Sequence, residues 1–314
     1  MTIFSNTVGL AMRNFTTWPD EPDPHALIQY AARAEALGFD SLWVWDHILL
    51  GVDPPFPIID PLTLLAAVAA RTRRIKLGTG VLVLPLRNPV VLAKELASLD
   101  RIAGGRLLLG LASGWYKREF DAVGVAFRER GRLMDRNLEI LRRLWTEAQV
   151  TGDYPPHQLR AANMAPKPPA PPPILIGGYV DRVLRRAALN GGWLTYFYTP
   201  ADFAGAWAKV RGFAEAAGRD PAVLLNANQL AICVGPSRQA VEPEMMEWLG
   251  QEWDYASWSR STKDSAIIGT PEECVAQLRA QRAAGVQKLI LIPYRYRPDQ
   301  IDIIARDILP RLRE

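Results

Sequence analysis

Asp46 and His47 stand side by side where an apolar run, Ser41 to Trp45, gives out. An acid next to an imidazole is a pairing that can move a proton, because histidine changes charge near neutrality and both exchanges protons and donates hydrogen bonds. The sequence contains three histidines, and His25 and His157 lie outside the residues expected at the carboxyl ends of the strands. His47 is therefore the residue to test as a proton or hydrogen-bond donor to a bound ligand. The plain alternative is a histidine satisfied by its structural neighbours.

Other apolar runs also end in residues suited to a ligand. They are Thr79, Gly80 and Val81; Ser113, Gly114 and Trp115; Gly177, Gly178 and Tyr179; and Tyr196. Glycine inside a strand weakens it unless another backbone or a ligand comes close, which applies to Gly78-Thr79-Gly80. Gly177-Gly178 directly precedes a helix expected to begin near Val180, so free amides and the positive end of the helix dipole would point to one spot, with Arg182, Arg185 and Arg186 adding charge. A simple turn is the competing reading. No histidine pair has metal-ligand spacing, and neither a Gly-x-Ser-x-Gly elbow nor a phosphate-loop Gly-Lys-Ser/Thr occurs. One histidine, backbone-accessible glycines and aromatics suit a large planar cofactor better than hydrolysis, and no metal is expected.

These residues must be held by elements, and the sequence alternates strand-length apolar runs with helix-period segments about eight times. Runs at 8–12, 41–45, 75–85, 106–112, 174–176, 193–198, 224–234 and 288–292 are continuous rather than alternating. Strands of that kind are buried on both faces, as in a parallel sheet wrapped by helices. Helix starts repeat a capping residue followed by proline: Asp23-Pro24, Asp60-Pro61, Asn88-Pro89, Thr199-Pro200 and Thr270-Pro271. A side-chain oxygen at the cap accepts an orphan amide proton, and proline in the first helical position has no proton to orphan. The expected fold is α/β, a (β/α)8 TIM barrel with insertions at the strand C-terminal ends, in one domain over 1–314. In such a barrel the site lies at those strand ends.

Two stretches interrupt the alternation. Eight of the nineteen residues from Pro155 to Pro173 are proline, which stiffens a loop but cannot build a regular helix or a central strand; it is expected to be a covering loop. From Pro236 to Ala266 an aromatic-rich insertion gathers Met245, Met246, Trp248, Trp253, Tyr255 and Trp258. It could line an apolar pocket, pack on a partner subunit or pack as helical core.

With 49% hydrophobic residues over 314 positions, the chain can bury a large core. A formal charge of +4 from 37 basic and 33 acidic residues, without a basic block, argues against nucleic acid as a partner. The two cysteines, Cys233 and Cys274, fit neither a disulfide scaffold nor a CxxC site. No leader-like start and no membrane-length apolar stretch is present, so a cytoplasmic protein without membrane association is expected.

Five blocks, in order, carry a more specific signal: Gly38-Phe-Asp-Ser-Leu-Trp-Val-Trp-Asp-His47, Leu77-Gly-Thr-Gly-Val81, Arg106-Leu-Leu-Leu-Gly-Leu-Ala-Ser-Gly-Trp115, Pro166-Lys-Pro168 leading to Ile174-Leu-Ile-Gly-Gly178, and Gly269-Thr-Pro-Glu-Glu273. Together they resemble the bacterial luciferase-like flavin monooxygenase family over nearly the whole chain, and Asp46-His47 resembles its coenzyme F420-dependent oxidoreductase branch. The resemblance implies a barrel binding the deazaflavin F420, or alternatively FMN, at its strand ends. It implies His47 beside the hydride-carrying carbon, Asp46 near the ring edge, and Thr79, Gly80 and Val81 at a bulge behind the ring, often with a non-prolyl cis peptide. It further implies that Ser113, Gly114, Gly177, Gly178 and Tyr179 belong to the segments holding the cofactor's side chain and phosphate.

One position departs from the pattern. Sugar-phosphate dehydrogenases of the deazaflavin branch carry a glutamate where this chain has Trp115, and a neutral indole cannot act as that acid or base. Glu119 is the nearest carboxylate and reads as a solvated helix residue. The helix near Asp135-Arg136 also lacks an acidic pair common in relatives, a surface variation. The expected activity is F420-dependent hydride transfer to or from a small organic substrate, with a homodimer and a separate flavin or F420 reductase as partners. An FMN-dependent monooxygenase using reduced flavin and O2 is the rival, a non-catalytic flavin-binding protein is a second, and a metal-dependent barrel hydrolase is disfavoured by the missing ligand cluster.

Overall fold

Proline-led caps set the helix starts where the sequence implied them. Asp60 accepts from the Thr63 amide, Asn88 from those of Val90 and Val91, and Thr199 from that of Asp202. Thr270 and Glu273 form a reciprocal capping box. The computed structural model describes residues 4–252 and 259–313. Its strands are β1 (Thr7–Ala11), β2 (Ser41–Val44), β3 (Lys76–Val83), β4 (Leu107–Ala112), β5 (Val150–Tyr154), β6 (His157–Ala162), β7 (Ile174–Gly177), β8 (Gly192–Tyr196), β9 (Leu225–Val234), β10 (Ile267–Gly269) and β11 (Lys288–Pro293).

The main sheet runs β10-β9-β11-β1-β2-β3-β4-β7-β8, and a further pairing of β8 with β9 returns it upon itself. Short β10 extends beside residues 232–234 of β9. The other eight strands make the parallel (β/α)8 barrel that the continuous apolar runs implied. Between them lie α1 (Pro24–Ala36), α2 (Pro61–Arg71), α3 (Pro89–Ala103), α4 (Lys117–Ala122), α5 (Arg130–Thr146), α6 (Asp181–Leu189), α7 (Pro200–Ala216), α8 (Arg238–Glu252), α9 (Ser259–Asp264) and α10 (Pro271–Ala283). Among the described residues, no helix is long and apolar enough to cross a membrane.

Two compact units make up the chain. The first comprises residues 13–29 and 44–174. In it β3 and β4 run in register from Leu77 opposite Leu107 to Val83 opposite Ala112, with a register shift between Thr79 and Leu82. The peptide Gly80–Val81 inside that shift is cis, in keeping with the bulge that the resemblance implied. Val83, Leu86 and Phe120 form a buried cluster with Val125 and Phe127 packed against it, which anchors α4 to the end of β3. The Pro-rich stretch is more ordered than a covering loop. Its first residues complete an antiparallel hairpin of β5 and β6, with the cis Pro155–Pro156 bond between the strands. Proline is tolerated here because Pro155 and Pro156 occupy the turn and neither strand contains one.

The second unit comprises residues 1–12, 30–43 and 175–314. Here β1 lies between β11 and β2, and β9 pairs with β8, β10 and β11. Every residue of β11 is buried, including Lys288, whose ammonium bonds the Asp40 carboxylate and Ser41 Oγ and lies 4.8 Å from the centre of the Phe4 ring. Within the aromatic-rich insertion, Met245 and Trp248 are buried on α8, with Trp248 edge-on to Tyr294 at 5.5 Å. Those two side chains are helical core. Trp253, Tyr255 and Trp258 lie outside the described residues. Both cysteines are free and buried, and burial pushes each thiol up to about 12.

Candidate active site

The end of β2 is fastened by a side chain distant from it in sequence. Asn14, fully buried, donates to the carbonyls of Trp45 and Ile59 at 2.8 Å each and accepts from the Trp45 amide at 3.0 Å. It thereby fixes the residues immediately before Asp46 and Asp60. Those two carboxylates grip one guanidinium: Arg87 Nη2 lies 2.8 Å from Asp46 Oδ1 and 2.8 Å from Asp60 Oδ2. The other Asp46 oxygen accepts from the Val83 amide at 2.8 Å, tying β2 to the far side of the bulge. Burial pushes the Asp46 carboxyl upward against the opposing pull of Arg87 and that amide. Burial acts in the same sense on Asp60, but the Thr63 amide and Arg87 outweigh it and hold that carboxyl low.

His47 is held by a residue that its sequence context did not reveal. Its Nδ1 lies 3.0 Å from Glu119 Oε2, while Glu119 Oε1 accepts from the amides of Ile48 at 2.5 Å and Leu49 at 3.1 Å. The expectation of a solvated Glu119 is therefore corrected: it is 1% exposed, because its neighbour Phe120 is drawn into the buried cluster and turns this face of α4 inward. Burial alone would raise the Glu119 carboxyl. The bond and charge of His47 and the two amides outweigh that, and hold it below the usual range.

Gly114 makes the turn from β4 into this arrangement. Its φ is +78°, and a Cβ there would come within 2.7 Å of Val83 and 2.8 Å of Phe120, so both the conformation and the space call for glycine. The turn delivers Trp115, 43% exposed, edge-on to the His47 ring at 5.8 Å. Ser113 is half-buried beside it. Thr79 is buried and donates to the Gly110 carbonyl at 2.8 Å, so its hydroxyl braces β3 against β4. Val81 is half-buried within the bulge. Asp46, His47, Thr79, Gly80, Val81, Ser113 and Gly114 thus all fall in the unit of residues 13–29 and 44–174.

Gly177, Gly178 and Tyr179 fall in the other unit. Gly178 has φ +135°, and a Cβ would approach Val183 to 3.0 Å; its carbonyl accepts from Trp193 Nε1 at 2.8 Å. Tyr179 lies edge-on to Tyr198 at 5.7 Å and tilted to Tyr196 at 6.5 Å. Burial, then the neighbouring Tyr196 and Tyr198, push the Tyr179 hydroxyl well above its ordinary value. Val180 precedes α6 without a side-chain cap. Of the arginines expected to add charge there, Arg185 lies 4.5 Å over the Phe213 ring and Arg182 is exposed.

Sequence reasoning missed Asn14, Asp60, Arg87 and Glu119 as site residues. Arg87 had a usable signal, an arginine in Pro85-Leu-Arg-Asn-Pro89 just past a strand. Glu119 had only its place beside an apolar Phe120. Among the described residues no group of three metal-ligating side chains gathers.

Comparison with known proteins bears on this geometry. Residues 7–288 match the family model described as luciferase-like monooxygenase. An F420-dependent glucose-6-phosphate dehydrogenase of Amycolatopsis mediterranei is 29% identical over 92% of this chain and 95% of its own length. An FMNH(2)-dependent dimethylsulfone monooxygenase of Pseudomonas putida is 27% identical over 81% of this chain and 79% of its own. Among solved structures, an F420-dependent secondary alcohol dehydrogenase in complex with an F420-acetone adduct is similar with a TM-score of 0.83 and 22% identity, covering 99% of this chain and all of that one. At that identity the likeness concerns the fold.

Proposed function

Because the chain belongs to the luciferase-like monooxygenase family, and so is a luciferase-like oxidoreductase or monooxygenase working with a flavin or deazaflavin, we propose that it uses coenzyme F420 for hydride transfer to or from a small organic substrate. The observation that carries this reading is the His47–Glu119 pair. An imidazole backed by a buried carboxylate is suited to moving a proton, which alcohol–carbonyl interconversion requires at the substrate oxygen. The relatives named for F420 and for FMNH(2) support both cofactors, and Asp46-His47 favours the first.

The residues around His47 fit such a group. Arg87, Asp46 and Asp60 answer one another's charge, while an exposed indole at Trp115 and exposed Ile48 and Leu49 offer apolar surface beside the imidazole. That set suits a planar, apolar-faced ring better than a metal or a phosphate ester. When bound, the deazaflavin supplies the two-electron chemistry and the protein supplies orientation and the proton. In this proposal His47 is the catalytic residue. Asp46 orders the strand end through Val83 and Arg87, and Thr79, Gly80 and Val81 shape the bulge for the ring. Ser113 and Gly114, and separately Gly177, Gly178 and Tyr179, are proposed for the cofactor's side chain and phosphate. We further propose a cytoplasmic homodimer supplied with reduced cofactor by a separate reductase.

The test is titration of the purified protein, followed by absorbance and fluorescence, with F420 and with FMN in separate experiments. The expected result is deazaflavin binding at micromolar or better affinity and weaker FMN binding. Tight FMN binding with no response to the deazaflavin would replace this reading with the monooxygenase one.

A further inference from the structure

We propose that Glu119 is a positioning residue that holds His47 as its Nδ1–H tautomer, so that Nε2 is the nitrogen that exchanges a proton with substrate. The second half rests on the function proposed above; the first half does not.

Hydrogen-bond inventory decides the tautomer. An ionised carboxylate only accepts, and a neutral imidazole has one N–H and one lone-pair nitrogen. Glu119 receives His47 Nδ1 on one oxygen and the Ile48 and Leu49 amides on the other. Those amides can only donate, so they require an oxygen at that position whatever the state of the imidazole. With both oxygens accepting, the proton of a neutral His47 must sit on Nδ1. The clamp is rigid, since Phe120 next to Glu119 is fully buried and one carboxylate takes donors from three successive residues.

His47 keeps 17% of its side chain exposed, and Nε2 is the ring nitrogen not turned to Glu119. When bound, the deazaflavin would take up the carbinol hydrogen of an alcohol as hydride, and His47 Nε2 would take the hydroxyl proton, leaving a carbonyl compound and an imidazolium. Carbonyl reduction returns both by the same route. One nitrogen therefore serves either direction, as base when the ring is neutral and as acid when it is protonated. Four residues beyond Trp115, a carboxylate carried by α4 acts through His47 instead of touching the substrate.

Substituting Glu119→Gln makes a sharp test. The carboxamide oxygen must face the Ile48 and Leu49 amides, which leaves the NH2 group facing Nδ1. Nδ1 then has to accept, and the ring proton moves to Nε2. The measurement is a long-range 1H–15N correlation spectrum of the imidazoles of the 15N-labelled protein at a pH where the ring is neutral. With three histidines in the chain, the His47 signals are assigned by their loss in His47→Ala.

The expected result is Nδ1–H in the parent and Nε2–H in Glu119→Gln. Turnover in the variant should fall by about 10²–10⁴, with deazaflavin affinity retained. A parent His47 carrying its proton on Nε2 would overturn the proposal without any variant, and so would a folded Glu119→Gln that kept Nδ1–H. The spectrum needs neither cofactor nor substrate, so failure of the deazaflavin to bind would count against the proposed function and not against the tautomer.

Discussion

Lys288, the first residue of β11, and Arg87, just past the end of β3, are both cations taken largely out of water, and the structure surrounds them differently. Lys288 is fully buried, bonded to Asp40 and to a Ser41 hydroxyl that also receives Trp43 Nε1, and capped by the Phe4 ring. Arg87 is shared between Asp46 and Asp60, while its buried Nε has no acceptor among the described residues. Three residues beyond the end of β2, His47 shows part of its ring to solvent next to exposed Trp115, Ile48 and Leu49. Charge is buried in both places. At the start of the strand it is enclosed, which suits stability, and past the strand ends it ties down Asp46, next to the proposed catalytic side chain.

The largest stability effect should come from breaking the enclosed pair. Lys288→Met takes the buried ammonium away from Asp40, and removing one partner of a buried ion pair costs about 3–5 kcal/mol; the lower end is expected because Asp40 keeps partial exposure. Denaturant unfolding should show this loss while deazaflavin affinity stays unchanged. A fall in affinity as large as the fall in stability would erase the contrast between the two regions.

A smaller loss is expected at Asn14. Asn14→Ala removes the three bonds that fix Trp45 and Ile59 and leaves buried backbone groups unsatisfied, at about 1–3 kcal/mol per unmet group. Here, unlike at Lys288, turnover should drop along with stability, because Trp45 leads into Asp46 and His47. Stability lost with activity intact would place Asn14 with the scaffold.

The smallest effect is on the pH dependence of stability. The Glu119 carboxyl is held low in the folded protein, so its contribution is fully present above its unfolded value, about 4.3, and is lost as pH falls through the folded value. Glu119→Gln should therefore lower stability in the neutral range, where the contribution is present, and leave it little changed at acid pH, which flattens the acid limb of the stability–pH profile below about pH 4.3. An unchanged acid limb would mean that the carboxylate is not held as described.

Much of the architecture was legible because it follows from periodicity and local chemistry. Continuous apolar runs gave a parallel sheet, and Asp60, Asn88, Thr199 and Thr270 before proline marked helix starts that the structure places there. The strand-end residues Asp46 and His47 were legible for the same reason. Glu119 was not, since a six-residue helix has too little periodicity to reveal its inner face, and burial of a carboxylate depends on donors some 70 residues away in the chain. Asn14 and Arg87 were hidden likewise, their roles arising from contacts 31 and 41 residues distant in sequence. The Pro155–Pro173 stretch reads as loop by composition, yet its prolines leave 157–162 free to form a strand, with Pro155 and Pro156 in the turn before it.

The central claim is that the His47 region is where chemistry occurs, and a single comparison tests it most directly. With the deazaflavin bound and a panel of alcohols, aldehydes and imines supplying a substrate, turnover is measured for the parent and for His47→Ala at saturating cofactor. The account predicts a fall of about 10²–10⁴ in turnover with cofactor affinity little changed. A variant that binds the cofactor normally and turns over as fast as the parent would make His47 a structural residue and contradict the account.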